Sequence, residues 1–233
     1  MEISAPKDTP RGGQFDPSPR CTRTWRGRSR ACRYRLIAMP EKSITESGRD
    51  THFWLIRHAE STWNAAGLWQ GQADPPLSQQ GRLQATRLAE ALAEERVEIL
   101  ITSDLVRTVE TAEIVASRLV LKAHREPGLR ELDAGSWSGS SREQIASRDG
   151  DVLARFDTGD VDVRAGGGEC RREVAARARQ VLAQWAARHA GRRVAVITHS
   201  GVIRSLLPGV QVDHAGWHSV HASAVVDGFG ALS

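Results

Sequence analysis

Several residues with chemical potential stand where hydrophobic runs end. His52-Phe53-Trp54-Leu55-Ile56 reads as a buried strand and is followed at once by Arg57-His58. The β-branched run Val194-Ala195-Val196-Ile197-Thr198 reads as a strand covered on both faces, and it ends at His199. A guanidinium offers a fixed fork of donors to phosphate or carboxylate oxygens. An imidazole is the side chain most easily poised as nucleophile or proton carrier near neutral pH. A third strand, Glu98–Thr102, leads through Ser103-Asp104-Leu105-Val106 into Arg107, in the first turn of a helix. The helix dipole disfavours a cation there, so an anionic partner is expected, either Asp104 or Glu110 or a ligand. Glu131 is a lone acid in the apolar context Leu129-Arg130-Glu131-Leu132. Taken singly, each has a plain structural use: a satisfied core histidine, a surface arginine, a solvated glutamate. Ligands bind outside the carboxyl ends of strands in open α/β sheets, so if the strands ending at His58 and His199 are neighbours, the two imidazoles meet at one edge.

The elements that must position these groups alternate between strand and helix from His52 onward. After the Arg57–Asn64 turn comes a Gly/Pro-rich loop, Gly67–Pro76, and Ser78 is a good N-cap for a helix to about Arg96. A second helix places Leu105, Val109, Ala112, Val115, Ala116 and Leu119 on one face. A short strand is expected near Lys122–Arg125, a loop at Gly135–Gly139, and a helix from Ser141 to about Phe156. Gly166-Gly167-Gly168 breaks the chain. Val174, Ala178, Val181, Leu182 and Trp185 then mark a helix over Glu173–His189, stopped by Gly191. Ser200-Gly201 open a short helix, and His221–Val226 is expected as a last strand. The alternation implies an α/β sandwich with a largely parallel central sheet.

The chain has 233 residues, 40% hydrophobic and 26% charged, enough for one sizeable core. No apolar run approaches the roughly 18–20 residues that span a bilayer, so no membrane role is expected. The formal charge of +4 is unevenly spread. Residues 1–38 hold one lysine and eight arginines against three acids, a balance of +6, which leaves −2 for the rest. Residues 1–50 also lack hydrophobic periodicity, so they are expected to be a disordered basic extension to a domain at 51–233. Met39 is a plausible alternative start. Nucleic-acid binding by this tail is the less favoured reading. Cys21, Cys32 and Cys170 form no metal or disulfide spacing, which fits a reducing cytoplasm.

Five segments in order carry a resemblance. Arg57-His58-Ala59-Glu60-Ser61-Thr62-Trp63-Asn64 resembles R-H-G-E-[ST]-x-x-N, with Ala59 where glycine is usual. Asp74–Gly81 resembles D-x-P-L-[ST]-x-x-G. Ser103–Ala112 resembles S-x-L-x-R-x-x-x-T-A, and Leu129–Gly139 resembles L-x-E-x-x-x-G-x-W-x-G. Thr198-His199-Ser200-Gly201-Val202-Ile203-Arg204 resembles T-H-G-G-V-I-R, with Ser200 in place of a glycine. Together they resemble the histidine phosphatase superfamily, in its phosphoglycerate mutase-like branch. The small phosphatases of that branch, such as α-ribazole and broad-specificity phosphatases, are the most similar. The resemblance implies a three-layer α/β/α sandwich with a mainly parallel, mixed sheet. It implies His58 as the nucleophile, Glu131 as proton donor and then base, and Arg57, Arg107 and His199 around the phosphoryl oxygens. Asn64, Gln70, Gly71 and Ser200 are further expected substrate contacts. No metal and no cofactor is expected, because two arginines and a protonated His199 would neutralise the oxygens.

Phosphatases and mutases of this kind share the pocket and differ around it. Only about 35 residues separate Glu131 from Gly166, and Arg142, Arg148, Arg155 and Arg164 lie among them without an Arg-Arg pair. This favours hydrolysis of a small phosphorylated metabolite over phosphoglycerate mutase-type transfer. A phospho-ligand-binding protein without catalysis is the other alternative, and the presence of Glu131 argues against it. Gly167-Gly168-Glu169-Cys170 resembles the G-G-E-[ST] turn of the small phosphatases, with a thiol for the usual hydroxyl. Substrate choice is expected to lie in a lid of residues 65–76 and part of 136–165, where Trp69 and Trp137 either stack on substrate or pack. The sequence sets neither the substrate nor the oligomeric state.

Overall fold

The computed structural model describes residues 50–226. The expected extension over residues 1–50 lies outside them except for Asp50. Five strands form one sheet: β1 (His52–Arg57), β2 (Ile99–Thr102), β3 (Ala123–Arg125), β4 (Arg193–Thr198) and β5 (Trp217–His221), in the order β3-β2-β4-β1-β5. All neighbours are parallel except β1 and β5. The sheet is thus mixed and mainly parallel, as the alternation implied.

Seven helices connect the strands: α1 (Thr62–Ala65), α2 (Gln79–Glu94), α3 (Val106–Leu119), α4 (Arg142–Asp157), α5 (Arg171–Arg188), α6 (Ser200–Leu206) and α7 (Ala222–Val226). Caps fix their starts. Ser78 accepts from the Gly81 amide at the head of α2, and Ser141 accepts from Gln144 at the head of α4. At the head of α5, Glu173 accepts from the Cys170 amide at 3.1 Å.

The period of two along the strands builds the layers. Trp54, Ile56, Leu100, Ala195 and Ile197 face Leu88, Leu92, Ala112 and Val115 of α2 and α3. Phe53, Leu55, Ile101, Val194 and Val196 face Val174, Ala178 and Leu182 of α5, with Val202 and Leu206 of α6. β1 and β4 are therefore covered on both sides, which is why they read as continuous apolar runs.

Two expectations are corrected. The last strand, expected over His221–Val226, lies earlier: β5 ends at His221, and Ala222–Val226 is helical. The Ala222 amide donates to the Thr51 carbonyl at 2.8 Å, and Ala222 and Val225, three apart, are both buried in the α5-side core. That is helical spacing, not strand alternation. In α3 the buried face is Arg107, Thr108, Thr111, Ala112 and Val115, while Val109 is only half-buried. Polar residues occupy the inner face because its N-terminal half borders the site.

Candidate active site

The register of β1 against β4 pairs Arg57 with Thr198, so His58 and His199 follow on adjacent strand ends. The His58 amide donates to the Thr198 carbonyl at 2.9 Å, locking that juxtaposition. The two rings meet edge-on with centroids 5.1 Å apart.

His58 is buried, and its Nδ1 lies 2.7 Å from the Ala59 carbonyl oxygen. A carbonyl only accepts, so Nδ1 carries the hydrogen and Nε2 carries the lone pair. The Arg107 Nε donates to that Nε2 at 3.3 Å. Burial first, and then the Arg107 charge, holds the His58 pKa well below the ordinary histidine value. Neutral pH therefore finds it as a neutral imidazole. His199 is completely buried, and neither ring nitrogen has a hydrogen-bond partner within the protein among the described residues. Burial and Arg107 again push its pKa well down. The sequence counts His199 as a cation; its burial, with the Arg107 charge beside it, instead holds it neutral.

Arg107 corrects another expectation. Neither acid suggested for it is its partner: Asp104 pairs with Arg130 at 2.6 Å, and Glu110 pairs with Arg82 at 3.0 Å. The fully buried Arg107 guanidinium instead donates to the carbonyls of Ala73 at 2.7 Å and Gly71 at 2.8 Å. Burial lowers its pKa to about 10, still cationic at neutral pH. Arg57 donates to the Val212 carbonyl at 3.2 Å, and its Nη2 lies 2.7 Å from His214 Nε2. An arginine has no acceptor, so His214 Nε2 accepts. Burial and Arg57 accordingly hold the His214 pKa down to about 4.

Glu131 receives two amides: Leu132 N–H at 2.8 Å on Oε1 and Gly201 N–H at 3.1 Å on Oε2. A Cβ on Gly201 would stand 2.1 Å from Oε1. Any larger residue at 201 would therefore displace the Glu131 carboxylate. Behind Glu131, Arg177 donates to the carbonyls of Gly128, Arg130 and Glu131 and is held by Glu169 at 2.8 Å. The two replaced glycines carry no such demand. Ala59 is buried beside Leu77 and Ala85, Ser200 opens α6, and neither has a positive φ.

Arg57, His58, Arg107 and Glu131 border a cavity of about 340 Å³, with Asn64, Gln70, Gly71 and Ser200 also on its wall. His199 alone of the expected site residues does not border it and lies directly against His58. Asn64 and Gln70 are tied through Ser61, whose Oγ lies 3.0 Å from Asn64 Oδ1 and 2.8 Å from Gln70 Oε1. Trp137 is fully buried with its Nε1 on Asp149 at 2.7 Å, so it packs. Trp69, edge-on to it at 5.1 Å, borders the cavity with Leu68, Phe156 and Val212. Reasoning from sequence missed His214, Arg177 and the cavity-lining Arg171 and Arg204. Arg204 ends the Thr198–Arg204 motif, which was its available signal. His214 lies in an irregular segment with no period to read.

The sequence model of the histidine phosphatase superfamily (branch 1) matches residues 53–224. A metal-independent phosphoserine phosphatase of Arabidopsis thaliana is 38% identical over 159 residues, 67% of this chain and 67% of that protein. Phosphoserine phosphatase 1 of Hydrogenobacter thermophilus is 34% identical over 152 residues, 65% of this chain and 72% of that protein. A mycobacterial glucosyl-3-phosphoglycerate phosphatase, solved in complex with VO3, superposes with a TM-score of 0.67 at 31% identity, covering 72% of this chain and 91% of that one.

Proposed function

This chain belongs to the histidine phosphatase superfamily, branch 1, and from that membership we propose that His58 is its covalent nucleophile. The protein is a phosphatase acting on a small phosphorylated metabolite. The observation that carries the residue assignment is the state of His58: neutral, with Nδ1 committed to the Ala59 carbonyl and the Nε2 lone pair beside a buried guanidinium. We assign the activity to the domain at 51–233 and the reaction to the cytoplasm. Among the described residues no helix is long and apolar enough to cross a membrane.

In the first half-reaction Nε2 attacks phosphorus, an N–P bond forms, and the ester P–O bond breaks. Glu131, entering protonated, gives its proton to the departing oxygen. Arg57 and Arg107 draw charge from the equatorial oxygens, and their cationic state at neutral pH needs no change during the step. His199, kept neutral by burial and by the Arg107 charge, packs edge-on against the His58 ring. In the second half-reaction the Glu131 carboxylate takes a proton from water, the water oxygen bonds to phosphorus, and the N–P bond breaks. Inorganic phosphate leaves, and His58 is neutral again. The Arg177–Glu169 pair positions the Glu131 backbone for both steps.

Hydrolysis of para-nitrophenyl phosphate in EDTA tests the reading, together with quench-trapping of a phosphoryl group that is acid-labile and base-stable. Full activity in EDTA with label on His58, and background activity without label in His58→Ala, are expected. Activity that disappears with EDTA, or that survives His58→Ala, overturns it.

A further inference from the structure

The outer half of the cavity separates two classes of arginine. Arg142, Arg148, Arg155 and Arg164, which the sequence shows without an Arg-Arg pair, are each consumed by an acid: Asp157, Asp149, Asp160 and Glu173 respectively. Arg171 and Arg204 border the cavity, and among the described residues neither has a carboxylate oxygen within ion-pair distance. Arg171 is fixed rather than free: its guanidinium carbon sits 4.5 Å above the Phe156 ring, and its Nη2 donates to the Phe156 carbonyl at 3.1 Å. Its neighbour Arg172 points elsewhere and pairs with Asp162 at 2.7 Å. Arg204 makes one hydrogen bond, a long 3.4 Å contact with the Ser200 carbonyl. The two guanidinium charges lie close enough to oppose each other, Arg204 depressing the pKa of Arg171 after burial does. Two acids also line the cavity: Glu131, and Asp213, whose charge acts on Arg57 and His214. Asp157, the acid whose charge reaches Arg171, is already paired with Arg142, so two like charges border the cavity without an ion-pair partner of their own and form a site for an anion.

We propose that Arg171 and Arg204 bind a second anionic group of the substrate, so that the preferred phosphomonoester carries a carboxylate or a further phosphate beyond the phosphoryl group that meets His58. This rests on the phosphatase reading above and adds its substrate class. Leu68, Trp69 and Phe156 give the same cavity an apolar wall that suits a short carbon backbone. A single phosphate with a neutral remainder leaves both guanidiniums facing each other unrelieved.

The test compares phosphoglycerate with glycerol phosphate, which differ by a carboxylate in place of a hydroxymethyl group, and fructose bisphosphate with fructose monophosphate. The wild-type kcat/KM is expected to favour the member with two anionic groups in at least one pair by about 10–100-fold, the scale of charge-assisted hydrogen bonds. Whichever pair shows the larger preference identifies carboxylate or phosphate as the second group. Arg171→Gln and Arg204→Gln are each expected to shrink that ratio about tenfold, and Arg171→Lys to keep part of it. Equal kcat/KM within both pairs, or a ratio unmoved by both glutamine substitutions, overturns the proposal. Calorimetric binding of the same compounds to His58→Ala reads the preference without turnover. A preference in binding with no hydrolysis by the wild type breaks the phosphatase reading and supports the anion site; equal binding breaks the site alone.

Discussion

The floor of the site and the lid above it both hold arginines, and they treat them in opposite ways. On the floor, Arg107 is fully buried and bonds to the carbonyls of Gly71 and Ala73, and Arg57 bonds to the Val212 carbonyl and a neutral His214. In the lid, Arg142, Arg148, Arg155 and Arg164 are exposed and matched with carboxylates. A carbonyl fixes a guanidinium while leaving its net charge uncancelled; a carboxylate fixes it and cancels the charge. Partner chemistry therefore decides which cations remain for a phosphate, and the number of arginines near a motif does not.

Four substitutions or conditions break or sharpen this contrast. The largest effect is expected on the floor from Glu131→Gln: a fall of about 10²–10⁴-fold in kcat for alkyl phosphates. The fall should be much smaller for para-nitrophenyl phosphate, whose leaving group needs no proton; steady-state rates on both substrates check it. Arg107→Met comes next, with a loss on the order of 10²–10³-fold in kcat/KM. The thermal stabilisation given to the wild type by inorganic phosphate should disappear with it, because the uncancelled charge is gone; a melting series with phosphate reads this.

A pH series follows. His58, His199 and His214 all have folded pKa values below the ordinary 6.5, that of His214 at about 4. Between those values the unfolded chain binds protons that the folded chain refuses. Stability is therefore at its full value above pH 6.5 and is lost as pH falls toward 4. Urea midpoints are expected to drop over that window, and His214→Gln to flatten part of the drop. The smallest effect is expected in the lid. Arg142→Ala removes an exposed ion pair and should cost no more than about 1 kcal/mol, with kcat/KM unchanged. A tenfold rate loss there would erase the distinction between the two regions.

What the sequence disclosed follows the same division. Arg57, His58 and His199 stand where apolar strands stop, and such a polarity break is visible without coordinates, whereas Arg107 and Glu131 were marked by the ordered motifs. β1 and β4 were legible because they are buried on both faces. The partner of Arg107 was misjudged, because sequence proximity favoured Asp104 and Glu110 while the fold supplied loop carbonyls from residues 71 and 73. His214 was missed because residues 207–216 have no period. Arg171 was missed because nothing local distinguishes it from Arg172, and only the turn of α5 sends one to the cavity and the other to Asp162. The last strand was expected over residues that form α7, because a short Ala/Ser/Val run fits either period, and β5 just before it was missed.

The pairing of β1 with β4 has a consequence for how the protein comes into being. His58 enters with the first strand of the sheet and His199 with the fourth, and most of the domain lies between them. Contacts so distant in the chain are made only after a large loop has closed, and such contacts form late. During synthesis β1 waits without its central neighbour until β4 has left the ribosome. No nascent fragment ending before His199 can hold the paired imidazoles. In refolding, the return of catalysis should trail the return of helix signal, which makes enzyme activity a clock for the last large step of assembly.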